Sequence, residues 1–225
     1  MNLKLAVFTD FDGTITQQDT LEILLDKYCT APWRPIEDRV TAGELSENRA
    51  LQLEFDLLEV ELETALKEVE TIPIDNTFAG FARFCSSRNI PLTILSGGID
   101  HIISRILQKH HLEQIPFFSN TATIRGKKWE VIPAASPRIR NQCNHCKTHH
   151  LVRQRQAGYH IVYIGDGNTD RCPAENADTI FAKGSLARYL TSRGIDFHHF
   201  TSFADIQPII QNLLNQSTLE AAINE

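Results

Sequence analysis

Leu5-Ala6-Val7-Phe8-Thr9-Asp10-Phe11-Asp12-Gly13-Thr14 begins as an apolar run, carries two aspartates spaced i, i+2, and closes on a glycine turn. A short apolar run bounded by polar residues reads as a buried parallel strand. Side chains alternate across a strand, so Asp10 and Asp12 are expected to face the same way at its carboxyl end, where open α/β sheets bind their ligands. Two carboxylates so close repel unless they share a cation or a proton, which marks both as candidate site residues.

Outward from this stretch, strand-like runs cover 3–9, 90–95, 115–119, 160–165 and 179–182. Between them lie helical faces: Phe78, Phe81, Phe84 and Cys85; Ile99, Ile102, Ile103, Ile106 and Leu107; Phe203, Ile206, Ile209, Ile210 and Leu213. Such alternation predicts an α/β fold, a Rossmann-like parallel sheet with helices on both faces. No strand is visible in 17–75. There Asp19-Thr20-Leu21-Glu22 reads as a capping box, Pro32-Trp33-Arg34-Pro35 as a turn, Ser46 as the cap of a second helix, and 61–70 as a third. The expected organisation is a core of residues 1–16 and 76–225 with a small helical cap domain, 17–75, inserted over the strand ends. Thr123–Val131, with a turn at Gly126, reads as a β-hairpin insertion.

Composition narrows the function. With 225 residues, 42% hydrophobic, 22% charged and a net charge of −6, the chain is that of an ordinary globular protein without the basic run that nucleic acid requires. No stretch approaches the ~20 apolar residues of a membrane span. No leader pattern precedes the first strand, and the five cysteines (Cys29, Cys85, Cys143, Cys146, Cys172) are scattered. Free thiols and a cytoplasmic location are expected. Neither nucleic acid nor membrane is an expected partner, and the chain is expected to be a monomer or homodimer.

Four stretches carry candidate chemistry. They are the Asp10/Asp12 pair; Ser96-Gly97-Gly98, a hydroxyl and exposed N–H groups where a helix is expected to start; Lys147, opening a helix over 147–157; and Gly165-Asp166-Gly167-Asn168-Thr169-Asp170, a strand end with two more carboxylates. Together they would hold a phosphate and a Mg²⁺, an ion that takes hard oxygen ligands from one or two carboxylates and from phosphate.

The order of these motifs resembles the haloacid dehalogenase superfamily in its phosphatase branch. DxDGT stands as Asp10-Phe11-Asp12-Gly13-Thr14, followed by Ser96, Lys147 and the Gly165–Asp170 stretch. The resemblance implies a phosphoric monoester hydrolase with Asp10 as nucleophile and Asp12 as general acid and base. Ser96, Gly97 and Lys147 would hold phosphate. Mg²⁺ would be held by Asp10, the carbonyl of Asp12 and Asp166, with Asp170 in support. Residues 11–19, 94–100 and 141–147 are most similar to the group acting on the methionine-salvage enol-phosphate. The stretch Gly165–Pro173 is similar to phosphocholine and phosphoethanolamine phosphatases, and the helical insertion to that of phosphoserine phosphatase. A non-catalytic phosphate-binding protein is the alternative class.

Other signals point elsewhere. Cys143-x-x-Cys146 with His145, His149 and His150 invites a zinc reading, but structural zinc needs four ligands and no second pair exists; a loop that positions Lys147 is the expectation. Trp33, Phe55, Leu57 and Leu58 mark a region for a substrate pocket within the insertion.

Overall fold

A computed structural model describes residues 3–134 and 145–223. Strand β1 (Leu5–Thr9) leads into four helices, α1 (Thr20–Tyr28), α2 (Arg34–Thr41), α3 (Glu47–Leu57) and α4 (Leu62–Val69). Next come α5 (Phe78–Ser87), β2 (Leu92–Ile99), α6 (Asp100–Lys109) and the hairpin β3 (Phe117–Arg125) and β4 (Lys128–Ile132). Then follow α7 (Lys147–Gln156), β5 (His160–Gly165), α8 (Arg171–Ala174), β6 (Thr179–Ala182), α9 (Gly184–Arg193), β7 (His198–His199) and α10 (Phe203–Ile223). The seven strands form one sheet in the order β4-β3-β2-β1-β5-β6-β7, parallel except for the β3–β4 hairpin. This is the Rossmann-like α/β architecture that the strand–helix alternation predicts.

Alternation along the central strands divides the core in two. Leu5 and Val7 of β1, with Val162 and Ile164 of β5, join one apolar cluster with Phe78, Phe81, Ile103 and Phe203. Ala6 and Phe8, with Ile161 and Tyr163, join the other, with Leu151, Leu186 and Leu190. Both sheet faces are therefore covered, and burying each such side chain contributes about 1.5–3 kcal/mol. No helix among the described residues is long and apolar enough to cross a membrane.

The boundaries depart from the sequence reading in three places. Pro32-Trp33-Arg34-Pro35 is not a turn: α2 starts at Arg34 with Pro35 in its first turn, so the insertion holds four helices rather than three. Proline is tolerated there because that N–H has no helical partner in any case. Strand β2 runs on through Ser96-Gly97-Gly98 to Ile99, which pairs with Asn120, and α6 begins only at Asp100. The helix expected over 202–215 continues to Ile223.

Residues 17–73 leave and re-enter the core side by side. Thr16 bridges Ile74, Gln17 N–H donates to the Pro73 carbonyl at 2.9 Å, and Asp75 N–H donates to that of Ile15 at 2.8 Å. The far end of this helical segment docks on the hairpin. Val60 N–H donates to the Lys127 carbonyl at 3.0 Å, and Trp129 Nε1 donates to the Val60 carbonyl at 2.7 Å. Trp129 also packs on Phe55, ring centroids 6.0 Å apart. Trp33, Phe55 and Leu58, expected to mark a substrate pocket, are instead buried in the first apolar cluster, with Leu57 packed against it.

Candidate active site

β1 stops at Thr9, and Asp10 N–H still donates to the Ile164 carbonyl of β5 at 2.9 Å. Asp12 therefore lies beyond the strand, in a turn that Gly13 allows through its φ of +73°. Strand alternation does not apply across this break, and the two carboxylates take different partners.

Asp12 faces the start of α1 and the end of β2. Its Oδ1 accepts from Thr20 N–H at 2.9 Å and Thr20 Oγ1 at 2.7 Å, and its Oδ2 accepts from Ser96 Oγ at 3.4 Å. Burial raises the Asp12 carboxyl above its ordinary range, with the Thr20 hydrogen bonds opposing. Ser96 is itself buried and its Oγ accepts from Gly98 N–H at 2.9 Å.

Asp10 faces the loop after β5. Lys147, the first residue of α7 and only 3% exposed, places Nζ 2.6 Å from Asp10 Oδ1 and 2.7 Å from Asp170 Oδ1. Burial alone would lower the Lys147 pKa, but Asp10 and Asp170 raise it overall and hold the ammonium charged. Burial, then the Asp170 charge, hold Asp10 well above the usual carboxylate range, against the pull of Lys147. No hydrogen bond among the described residues reaches Oδ2 of Asp10.

Asp170 is fully engaged. Oδ1 accepts from Lys147 and from Tyr163 OH at 2.6 Å, while Oδ2 accepts from the N–H groups of Asp166 and Gly167, each at 3.0 Å. A Cβ at Gly165 would stand 2.5 Å from that Oδ2, so the close approach requires glycine. Asp166 accepts from Thr14 Oγ1 at 2.6 Å, and burial raises its carboxyl.

Oxygens of Asp10, Asp166 and Asp170 lie within 4.8 Å of one another, and these three form the only group of His, Cys, Asp or Glu found among the described residues that could hold a metal ion. Three carboxylates beside one ammonium leave two negative charges, and Asp10 has a free oxygen; the donor set fits a hard divalent cation. The side chain of Asp12 is not in this group; the atom expected of Asp12 is its backbone carbonyl.

Several supporting residues carry no motif. Tyr163 is an inward position of β5, buried among apolar neighbours; Asn120 of β3 donates to the Gly97 carbonyl at 2.6 Å; His145 Nδ1 lies 2.9 Å from the Ser96 carbonyl. A bond to a carbonyl puts the proton on Nδ1, and burial takes His145 down to about 4, so the ring is neutral. His145 Nε2 meets His150 Nε2 at 3.1 Å. The histidines thus serve the Ser96–Lys147 region. Cys29, Cys85 and Cys172 are free thiols, as expected, and Cys143 lies outside the described residues.

The signature of the haloacid dehalogenase-like hydrolases matches residues 7–175. The chain belongs to this family. It is 29% identical over 217 residues to a 2-hydroxy-3-keto-5-methylthiopentenyl-1-phosphate phosphatase of Brevibacillus brevis, covering 95% of this chain and 98% of the relative. It is 30% identical over 219 residues to the Geobacillus kaustophilus protein of the same name, again covering 95% and 98%. Among solved structures, it matches a phospho-aspartyl intermediate analogue of phosphoserine phosphatase with a TM-score of 0.69 and 18% identity, covering 93% of this chain and 99% of that one. A substrate-bound phosphoserine phosphatase matches with a TM-score of 0.67 at 16% identity, covering 93% and 99%. These two share the fold.

Proposed function

We propose that this chain is a Mg²⁺-dependent phosphomonoesterase that acts on a small phosphorylated metabolite through an aspartyl-phosphate. The observation that carries the reading is the Lys147 ammonium bridging Asp10 and Asp170 while no hydrogen bond among the described residues reaches the second oxygen of Asp10. A carboxylate so placed is oriented on one side and free to attack on the other.

Asp10 attacks phosphorus, and the bond from phosphorus to the substrate's alcohol oxygen breaks. Asp12 gives its proton to that leaving oxygen, a role open to it because it faces Thr20 and Ser96 and not the Lys147 ammonium. Asp12 then takes a proton from water, which attacks the aspartyl-phosphate and frees inorganic phosphate. Ser96 Oγ, the Gly97 N–H and Lys147 hold phosphoryl oxygens and stabilise the charge spread over them. Asp10, the Asp12 carbonyl and Asp166 would hold Mg²⁺, supported by Asp170; bound there, the ion would neutralise charge on nucleophile and phosphate. The fully engaged Asp170 positions Lys147 and the Gly165–Gly167 turn.

Residues 17–75 act as a cap. Thr20, at the start of α1, already reaches Asp12, so the helical segment and the site share hydrogen bonds. We put 2-hydroxy-3-keto-5-methylthiopentenyl-1-phosphate first among substrates, a choice the names of the relatives support, with phosphoserine, phosphocholine and phosphoethanolamine as alternatives. The test is Mg²⁺-dependent phosphate release from these esters and an aryl phosphate, wild type beside Asp10→Asn. Release lost by at least ~10⁴-fold in the variant is expected of a missing nucleophile. Binding of phosphate without release by the wild type would favour the non-catalytic alternative.

A further inference from the structure

Of the three carboxylates gathered on the floor, Asp170 is the one whose acceptor capacity is filled. An ionised carboxylate offers about four lone-pair sites. Asp170 meets them with four donors: Lys147 Nζ at 2.7 Å and Tyr163 OH at 2.6 Å on Oδ1, and the N–H groups of Asp166 and Gly167, each at 3.0 Å, on Oδ2. Among the described residues, the Asp10 carboxylate accepts from Lys147 alone and the Asp166 carboxylate from Thr14 Oγ1 alone. Oxygens of all three lie within 4.8 Å of one another, so without its donors Asp170 would be open to the same cation as the other two.

Three of the four donors have other duties. Lys147 also holds Asp10, and the two N–H groups belong to the loop that Asp170 itself closes. The hydroxyl of Tyr163 makes no other hydrogen bond among the described residues. Tyr163 is fully buried in the second apolar cluster, which also holds Phe8, Leu95 and Leu151. A hydroxyl there carries a desolvation cost that phenylalanine would avoid, and its bond to Asp170 is what offsets it. Removing that hydroxyl would return one lone pair to Oδ1, beside two acids that are already open.

We propose that Tyr163 is a positioning residue that keeps Asp170 out of the metal's coordination, and by doing so sets which divalent cation the site prefers. The inference rests on the metal-dependent reading above and deepens it. Mg²⁺ keeps several waters and takes one or two carboxylates, whereas Ca²⁺ gathers about six to eight oxygens, often from several carboxylates. Two open carboxylates suit the smaller ion; a third tips the site toward the larger. The same bond keeps Asp170 turned to Lys147, so the ammonium stays between Asp170 and Asp10.

Calorimetric titrations of Mg²⁺ and of Ca²⁺, each alone, into wild type and Tyr163→Phe test this without relying on turnover, with thermal melting of each protein as the check on folding. In Tyr163→Phe the ratio of Ca²⁺ to Mg²⁺ affinity is expected to rise by ~10-fold or more, the scale of a lost supporting hydrogen bond at a metal site. Adding Asp170→Asn to Tyr163→Phe is expected to remove most of that gain, because the gain runs through this carboxylate. An unchanged ratio in a folded Tyr163→Phe would overturn the inference, and so would a gain that survives Asp170→Asn. Equal loss of affinity for both ions, with a lowered Tm, is the mark of a structural role and would overturn it too. If Tyr163→Phe does not fold, Tyr163→Met, which also lacks a donor, carries the same ratio test. Wild type that binds neither ion, with or without inorganic phosphate, would instead remove the metal reading itself and the inference with it.

Discussion

The catalytic floor and the helical segment above it handle buried charge in opposite ways. On the floor, Lys147 lies between Asp10 and Asp170; Tyr163 shares the same Asp170 oxygen, and two backbone N–H groups hold the other. On α3, Glu54 is equally buried, and burial, then Glu37, with Asp19 and Glu22 in the same sense, raise its carboxyl. A floor whose buried groups hold one another through an ammonium and several donors can keep one geometry through a reaction whose phosphoryl group is the same in every substrate. On the helical segment buried acid meets acid, so protonation and not pairing keeps the carboxyl neutral.

The sharpest way to break the comparison is to unbalance the floor. Lys147→Ala is expected to lower kcat/KM by ~10²–10³ or more and to weaken inhibition by inorganic phosphate. A loss under tenfold in steady-state assays would mean that Lys147 does not anchor the site. Next, Asp166→Asn is expected to raise the Mg²⁺ concentration for half-maximal activity by ~10- to 100-fold. An unchanged Mg²⁺ titration would remove Asp166 from the ligand set.

The smaller effects belong to the cap. Glu54 holds its proton up to about pH 8 in the folded chain, against an ordinary value of 4.5. Between those values the unfolded chain has lost a proton that the folded one keeps, so this group subtracts stability as pH rises. In the absence of substrate, Glu54→Gln is expected to melt with wild type near pH 4.5 and progressively above it toward pH 8. A difference independent of pH would show that Glu54 finds a partner in solution. Last, Trp129→Phe removes the hydrogen bond to Val60 that ties the helical segment to the hairpin, and a loss near 1 kcal/mol should lower Tm by ~2–4 °C. An unchanged Tm would mean that the docking relies on Phe55 packing alone.

Much of the floor was legible because each of its motifs coincides with a break in hydrophobic pattern. The apolar runs of β1, β2 and β5 end where Asp10, Ser96 and Asp166 begin, and Asp19 and Ser46 accept from the first N–H groups of α1 and α3 as their residue types predict. What stayed hidden was non-local. Asp10 and Asp12 look equivalent until the last ladder bond is seen at Asp10, with Asp12 in the turn beyond it. Gly97 and Gly98 suggested a helix start, yet pairing with β3 carries the strand past them. Tyr163 reads as one more apolar position until Asp170 folds back onto its hydroxyl. Glu54 is the instructive miss: charge suggests a solvated face, but its spacing from Ala50, Leu51 and Phe55 puts it on the apolar one.

The bridge between Thr16 and Ile74 has a consequence for ancestry. Because the segment departs and returns at adjacent points of one ladder, its length is nearly irrelevant to the sheet; closing a longer or shorter excursion changes loop entropy only logarithmically. The segment is thus a cassette that lineages can exchange without redrawing the strands. One residue limits that freedom. Thr16 Oγ1 also accepts from the N–H of Gly13, in the turn that carries Asp12, so any replacement cassette must rejoin the chain in the register that keeps this contact.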